Sequence, residues 1–250
     1  MWHSMSRIEW TERTWNPVTG CTKISPGCKH CYAENMARRL KAMGTPGYEK
    51  GFKLTIHPGR LNEPLRRKKP TVYFVNSMSD LFHKQVPSHF IDQVFEVIVA
   101  SPQHNFQLLT KRPERMARYF RSREVPSNCW LGTTVEDQEY GVPRIDLLRT
   151  IPAKIRFLSI EPLLENFGTL DLKNIHWVIV GGESGPKARP MQPEWVENIR
   201  IQCHAQGASF FFKQWGGWGA DGVRRPKAKN GRLLHGRTWD EMPTIMTTHI

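Results

Sequence analysis

One loop limits what this chain can fold around: Gly20-Cys21-Thr22-Lys23-Ile24-Ser25-Pro26-Gly27-Cys28-Lys29-His30-Cys31-Tyr32-Ala33. It holds three of the five cysteines, spaced C-x6-C-x2-C. Thiolates set this close together suit a soft metal centre, and both zinc and iron–sulfur clusters take such ligands. The odd cysteine count, the chain length and the lack of a secretory signal argue against a disulfide framework. A structural zinc site needs four ligands. The loop offers three thiolates, with His30 as the natural fourth donor, because Cys129 and Cys203 lie about a hundred residues or more away. A 4Fe–4S cluster on three cysteines leaves one iron open to a small molecule. The spacing alone leaves both metals open. Pro26-Gly27 supplies the turn that brings Cys21 back towards Cys28, and Cys28 and Cys31 stand at the start of a helix.

Beyond the loop the chain alternates. Trp10 to Val18 reads as a first strand. Tyr32, Met36, Leu40 and Met43 recur at helical spacing, with Gly44 as the stop. Residues 44–70 are irregular, with a basic run Arg66–Lys69 and a short strand at Phe52–Ile56. The apolar run 71–76 is too continuous for a half-exposed strand and reads as a buried parallel one. Strands at 106–109, 129–133, 155–160, 176–180 and 209–213 follow. A helix capped by Ser88 is expected, with others over 113–120, near 140–149 and over 193–206, the last ended by Gly207. The alternation predicts an α/β fold, a complete or partial (β/α) TIM-like barrel of about six to eight mostly parallel strands. Cys129 and Cys203 behave as small core residues.

Nearly every apolar run ends in a polar string. These are Asn76-Ser77-Met78-Ser79-Asp80, Thr110-Lys111-Arg112, Thr133-Thr134-Val135-Glu136, Ser159-Ile160-Glu161, Gly181-Gly182-Glu183-Ser184 and Lys213-Gln214-Trp215. In a barrel the carboxyl ends of the strands converge on the active face. Lys111, Glu161 and Lys213 are therefore the candidate catalytic side chains. Ser77, Ser79, Asp80, Glu136, Gly181, Gly182 and Glu183 are the candidate cofactor-binding residues, with the two glycines allowing a ligand close to the backbone. Cys21, Cys28 and Cys31 are the candidate metal ligands.

The charge of +13 at pH 7 directs attention to polyanions, nucleic acid first. Lys111, Arg112 and Lys213 are expected to grip phosphate or carboxylate, and the run from Lys111 to Arg123 is expected to begin on the active face. No apolar run approaches the roughly 20 residues of a membrane span. Met1–Ser4, ahead of Met5, read as an expression scar, 5–218 as the barrel and 219–250 as a mobile basic extension in which Trp239 and Met242 dock back. A thiolate metal site without an export signal implies a reducing cytoplasm.

The blocks Trp15-Asn16-Pro17, Gly20-Cys21, Ser25–Ala33, Asn76–Phe82, Leu109–Pro113, Ser159–Pro162 and Gly181–Gly185 together resemble a phage and bacterial three-cysteine radical S-adenosylmethionine-like family. The resemblance implies a 4Fe–4S cluster on Cys21, Cys28 and Cys31 whose open iron binds S-adenosylmethionine. It also implies formation of a 5′-deoxyadenosyl radical and an external electron donor such as flavodoxin or ferredoxin. The phage association suggests a hypermodified thymidine in DNA as substrate, flipped out of the duplex. The first gap departs from the usual C-x3-C-x2-C, and His30 stands where an aromatic ring often precedes the third cysteine. RNA or a peptide is the alternative substrate. The competing class is a non-catalytic, zinc-stabilised nucleic-acid-binding protein.

Overall fold

Asn16-Pro17 divides the first extended stretch, because a proline has no N–H to give to a ladder. The computed structural model, which describes residues 8–244, places β1 at Arg13–Trp15 and β2 at Val18–Thr19. Met1–Ser4 and the last six residues lie outside the described part. β1 runs parallel to β4 (Val72–Val75). The sheet continues through β5 (Asn105–Thr110), β6 (Cys129–Thr134), β7 (Ile155–Ile160), β8 (Trp177–Gly181) and β9 (Ser209–Gln214). These seven strands form one curled, all-parallel sheet in the order β1-β4-β5-β6-β7-β8-β9. β2 pairs antiparallel with β3 (Thr55–Ile56) apart from it. β1 and β9 end the sheet, so the architecture is a half-barrel, the partial form of the expected fold.

Alternation along the strands sorts the core into two layers. Tyr73, Val75, Phe106, Leu108, Leu131, Leu158, Val178 and Phe212 turn outward. There they pack against α2 (Ser88–Val99), α3 (Pro113–Phe120), α4 (Pro143–Arg149) and α5 (Pro193–Gln206). Phe74, Trp130, Phe157, Trp177, Ile179 and Phe211 turn inward with Trp10. Trp177 is the hub of this inner layer, with the rings of Trp10, Trp130, Phe157 and Phe211 at 6.0, 5.9, 5.7 and 6.0 Å. Both faces are therefore buried, which is why the strands read as unbroken apolar runs. Cys129 and Cys203 sit fully buried in the outer layer, as small apolar residues do.

The helices over 113–120 and 193–206 fall where the periodicity puts them, and Gly207 ends the latter at φ 74°. α1 spans Tyr32–Ala42. Two details differ: Pro87 caps α2 and Ser88 is its first residue, and α4 begins at Pro143. The connection from β7 to β8 carries no helix, and the sequence implies none there. That connection buries Leu163, Phe167, Leu170 and Leu172 instead.

Residues 219–244, the described part of the segment after Trp218, are not the mobile tail that their composition suggests. Arg225 N donates to Gly217 O at 3.1 Å and Asn230 Nδ2 to Gly216 O at 3.0 Å, around a short helix α6 at Lys227–Asn230. Leu234 and Trp239 enter the outer core. Phe212 N donates to Trp239 O at 2.8 Å, covering the edge of β9. Trp239 docks as expected, whereas Met242 stays 38% exposed.

Candidate active site at the strand carboxyl ends

The cysteine loop leaves β2 through Gly20, which sits at φ 81°, where a Cβ would lie 2.3 Å from Lys53 O. A 3-10 turn over Pro26–Cys28 follows, and Cys31 caps α1. All three loop cysteines are free thiols and partly exposed. Burial pushes the Cys21 thiol up to about 11, Asp80 adds to this, and the Arg112 guanidinium opposes it. Burial also raises the Cys31 thiol, against the backbone amides of Glu34 and Ala33 at the helix start.

Three buried carboxylates from three strand ends hold this loop. After β4, Asp80 takes Arg112 Nη1 at 2.7 Å. Arg112 reaches Cys21 Sγ at 3.6 Å and Thr22 O at 3.1 Å. After β6, Glu136 lies between Lys111 Nζ at 3.1 Å and Arg144 Nη1 at 2.7 Å. It also accepts the Ser25 hydroxyl. A Cβ on Gly27 would come within 2.8 Å of Glu136 Cγ, so the turn rests on this side chain. After β8, Glu183 takes Arg189 Nη2 at 2.6 Å and His30 Nδ1 at 3.1 Å. Arg189 Nη2 also donates to Pro26 O at 3.1 Å. Burial works against ionisation of Glu136 and Glu183. The cations and hydrogen bonds prevail, and both carboxyls lie below the usual range.

A fourth carboxylate stands apart from the loop. The alternation that turns Phe157, Ile179 and Phe211 inward also turns Glu161, Gly181 and Lys213 inward, above the aromatic layer. Lys213 Nζ meets Glu161 Oε1 and Oε2 at 3.0 and 2.7 Å. The pair spans Gly181, whose missing Cβ would sit 3.3 Å from the Glu161 carboxyl. Gln214 Nε2 adds a hydrogen bond to Glu161 Oε1 at 3.0 Å.

The strand ends thus bring together Asp80, Glu136, Glu161, Glu183, Lys111 and Lys213, as the sequence implies. Ser77 and Ser79 serve the backbone frame, through Asn16 Oδ1 at 3.3 Å and Val18 O at 2.8 Å. At Gly182 a Cβ would fall 2.0 Å from Trp215 O, so the chain itself fills the space expected for a ligand. Lys111, Arg112 and Lys213 are not free to grip an anion, since each is bound to a carboxylate. The basic run beyond them lies along α3 on the outer face. Arg115 holds the carbonyls of His83 and Val86, and Arg123 pairs with Asp92. Ser25, Arg144 and Arg189 were not foreseen as site residues. Nothing in their local pattern signals a partner more than a hundred residues away or on another turn.

Three free, partly exposed thiols on one loop are a donor set that either a zinc ion or an iron–sulfur cluster would take. Among the described residues, no three His, Cys, Asp or Glu side chains converge on one point.

A parallel half-barrel with its polar residues gathered at the strand carboxyl ends is the class of protein that fold and site define. The chain belongs to the family described as "Protein of unknown function (DUF5131)", which matches residues 5–243. No curated protein matches it. Among solved structures it is similar to a cysteine-to-serine variant of spore photoproduct lyase, at 13% identity over 73% of this chain and 59% of that one, with a TM-score of 0.50. It is also similar to spore photoproduct lyase complexed with dinucleoside spore photoproduct, at 12% identity over 81% of this chain and 64% of that one, TM-score 0.49. The chain therefore spans less than two thirds of either lyase. The first likeness is one of fold.

Proposed function

We propose that the chain is a radical S-adenosylmethionine enzyme that modifies a base of a nucleic acid. The observation that carries this reading is the seating of Cys21, Cys28 and Cys31. One loop bears all three at the carboxyl face of a parallel half-barrel, and Asp80, Glu136 and Glu183 fix it there. That face is where such folds carry their chemistry. When bound, a 4Fe–4S cluster and S-adenosylmethionine would supply a 5′-deoxyadenosyl radical that removes hydrogen from the substrate.

The chain's own residues divide the remaining work. Cys21, Cys28 and Cys31 hold the cluster, and Arg112 presents a positive donor to the Cys21 sulfur. Gly181 would form part of the wall beside the methionine cofactor, with Asp80, Glu136 and Glu183 as its charged frame, while Ser77, Ser79 and Gly182 hold the backbone behind it. Glu161 positions Lys213, whose Nζ would donate to a substrate carbonyl. Lys111 completes the same wall. The aromatic layer around Trp177 closes the floor to water. The narrower form of the proposal is a hypermodified thymidine in phage DNA, with reducing equivalents from a flavodoxin or ferredoxin.

Anaerobic reconstitution tests the reading. The expected preparation is brown, contains iron and sulfide, and forms 5′-deoxyadenosine from S-adenosylmethionine with dithionite. Cys21→Ala, Cys28→Ala or Cys31→Ala should each abolish the cluster, whereas Cys129→Ala and Cys203→Ala should keep it. A colourless protein with one stoichiometric zinc would refute the proposal.

A further inference from the structure

The charge of +13 is not spread evenly once the buried pairs are set aside. Arg112, Lys111 and Lys213 are tied to Asp80, Glu136 and Glu161 inside the mouth, where an ion pair does not exchange cheaply. The basic run along α3 faces outward. Arg66–Lys69 precede β4 and so lie at the amino ends of the strands, opposite the site. Besides exposed Lys23 and Lys29 on the cysteine loop, a basic feature at the active end forms a concave surface.

It is a cleft of about 460 Å³ lined by Arg224, Arg225, Lys227, Gly185, Pro186 and Gly217. Gly185 and Gly217 follow the carboxyl ends of β8 and β9, so the cleft opens beside the mouth. Among the described residues, no carboxylate lines it. At Gly185 a Cβ would meet nothing within 4 Å, so this wall is open. Gly185 is two residues from Glu183, which holds His30 of the cysteine loop. The cations stand on a knitted loop, through the Arg225–Gly217 and Asn230–Gly216 hydrogen bonds given above. Arg225 meets Asp221 at 2.6 Å and Lys227 meets Glu9 at 3.2 Å. Among the described residues Arg224 has no carboxylate partner, and it donates to the Pro186 carbonyl. The two pairs are solvent-exposed, so they contribute little and can be exchanged for another anion.

We propose that this cleft seats the phosphodiester backbone of a nucleic acid, with the base carried over the lip formed by Gly185 into the mouth. The chemistry is that of phosphate recognition: three cations in a row, two of them in exposed, exchangeable ion pairs, beside the mouth to which the proposed function brings the base. Phosphate contacts fix position and carry no base identity, so the cleft sets where the strand lies and leaves the choice of base to the mouth. The inference rests on the nucleic-acid part of the function proposed above.

Fluorescence anisotropy with labelled duplex and single-stranded DNA, over a series of salt concentrations, tests it on the whole chain. Each phosphate contacted on a duplex adds about −0.9 to the log–log salt slope. The R224Q/K227Q variant is expected to flatten the wild-type slope by about 1.8, two contacts' worth. The R66Q/K68Q variant removes the same charge at the opposite end and is expected to leave the slope unchanged. Thermal melting and iron content report whether each variant is folded. R225Q, which tests the better-anchored cation, should act in the same direction as R224Q/K227Q. Wild-type binding with equal effects in the two double variants would refute the cleft and leave the nucleic-acid reading standing. No salt-dependent binding by the wild type would overturn that reading, and the cleft with it.

Discussion

Arg112 shows how much of this site depends on single side chains. Its guanidinium bridges Asp80 at 2.7 Å and the Cys21 sulfur at 3.6 Å. Burial opposes its charge, but Asp80 and Cys21 more than restore it. Hydrogen bonds and charge at the ligand sulfurs set the potential of an iron–sulfur cluster. Arg112→Gln should therefore make the loaded cluster harder to reduce. A lost charge-assisted bond of about 1.5 kcal/mol corresponds to a shift of roughly 60 mV to the negative in a one-electron couple. Arg112→Lys, which keeps the charge, should recover part of it. A spectroscopically monitored redox titration checks both, and equal potentials in all three proteins would remove Arg112 from this role. The four acids were legible in the sequence, because each closes an apolar run. Their partners were not. Arg144 lies in a helix and Arg189 in a connection, and only the packing of the chain brings them to Glu136 and Glu183.

At the scale of elements, glycines separate two kinds of constraint. Gly207 ends α5 at φ 74° with nothing within 4 Å of its absent Cβ. Gly207→Ala is then a backbone effect alone, of about 1–2 kcal/mol, and should leave iron content untouched. Gly182 follows β8, and a Cβ there would lie 2.0 Å from Trp215 O, a backbone atom that cannot turn aside. Gly182→Ala should cost more than Gly207→Ala in denaturant unfolding. It should also release iron, because Glu183 is the next residue and His30 depends on it. Equal costs, or full iron retention in Gly182→Ala, would mean that the β8 end tolerates displacement. Both positions attract notice in the sequence, one as a helix stop and the other beside an acid. The stop was readable because its cause is local. The role of Gly182 was read as room for a ligand, because the approach of the β9 end is set by the fold of the sheet and not by neighbouring residues.

At the scale of the whole molecule, the open half-barrel leaves β9 as an edge, and the C-terminal segment covers it. Composition alone suggested a mobile tail, since the basic and turn-forming residues outnumber the apolar ones. Leu234 and Trp239 are enough to reverse that. Fully burying two such side chains contributes about 1.5–3 kcal/mol each, a large share of a domain's usual net stability of about 5–15 kcal/mol. Arg237 and Arg200 lie over the Trp239 ring at 3.6 and 4.7 Å. Glu197 ties Arg200 at 2.6 Å and His235 at 2.9 Å, and so joins α5 to the segment. Trp239→Ala should cost about 3–5 kcal/mol, measured by denaturant unfolding, and a cost under 1 kcal/mol would put the edge cover in doubt.

The Glu197 clasp also gives the segment a pH dependence. The Arg200 hydrogen bonds, against a smaller burial effect and with help from His235, hold its carboxyl down to about 2, from 4.5 in the unfolded chain. A depressed carboxyl stabilises the fold fully above its unfolded value. That contribution is lost as pH falls towards the folded value. The stability difference between wild type and Glu197→Gln should therefore be level above about pH 5 and shrink between about pH 4.5 and 2. Glu136 and Glu183 are depressed too, so the whole protein weakens on the same side of neutrality. The comparison with Glu197→Gln cancels their part, since both proteins contain them. Thermal melts of the two proteins at stepwise lower pH measure it. A gap that stays constant down to pH 2, or that widens on acidification, would show that Glu197 does not act through its charge.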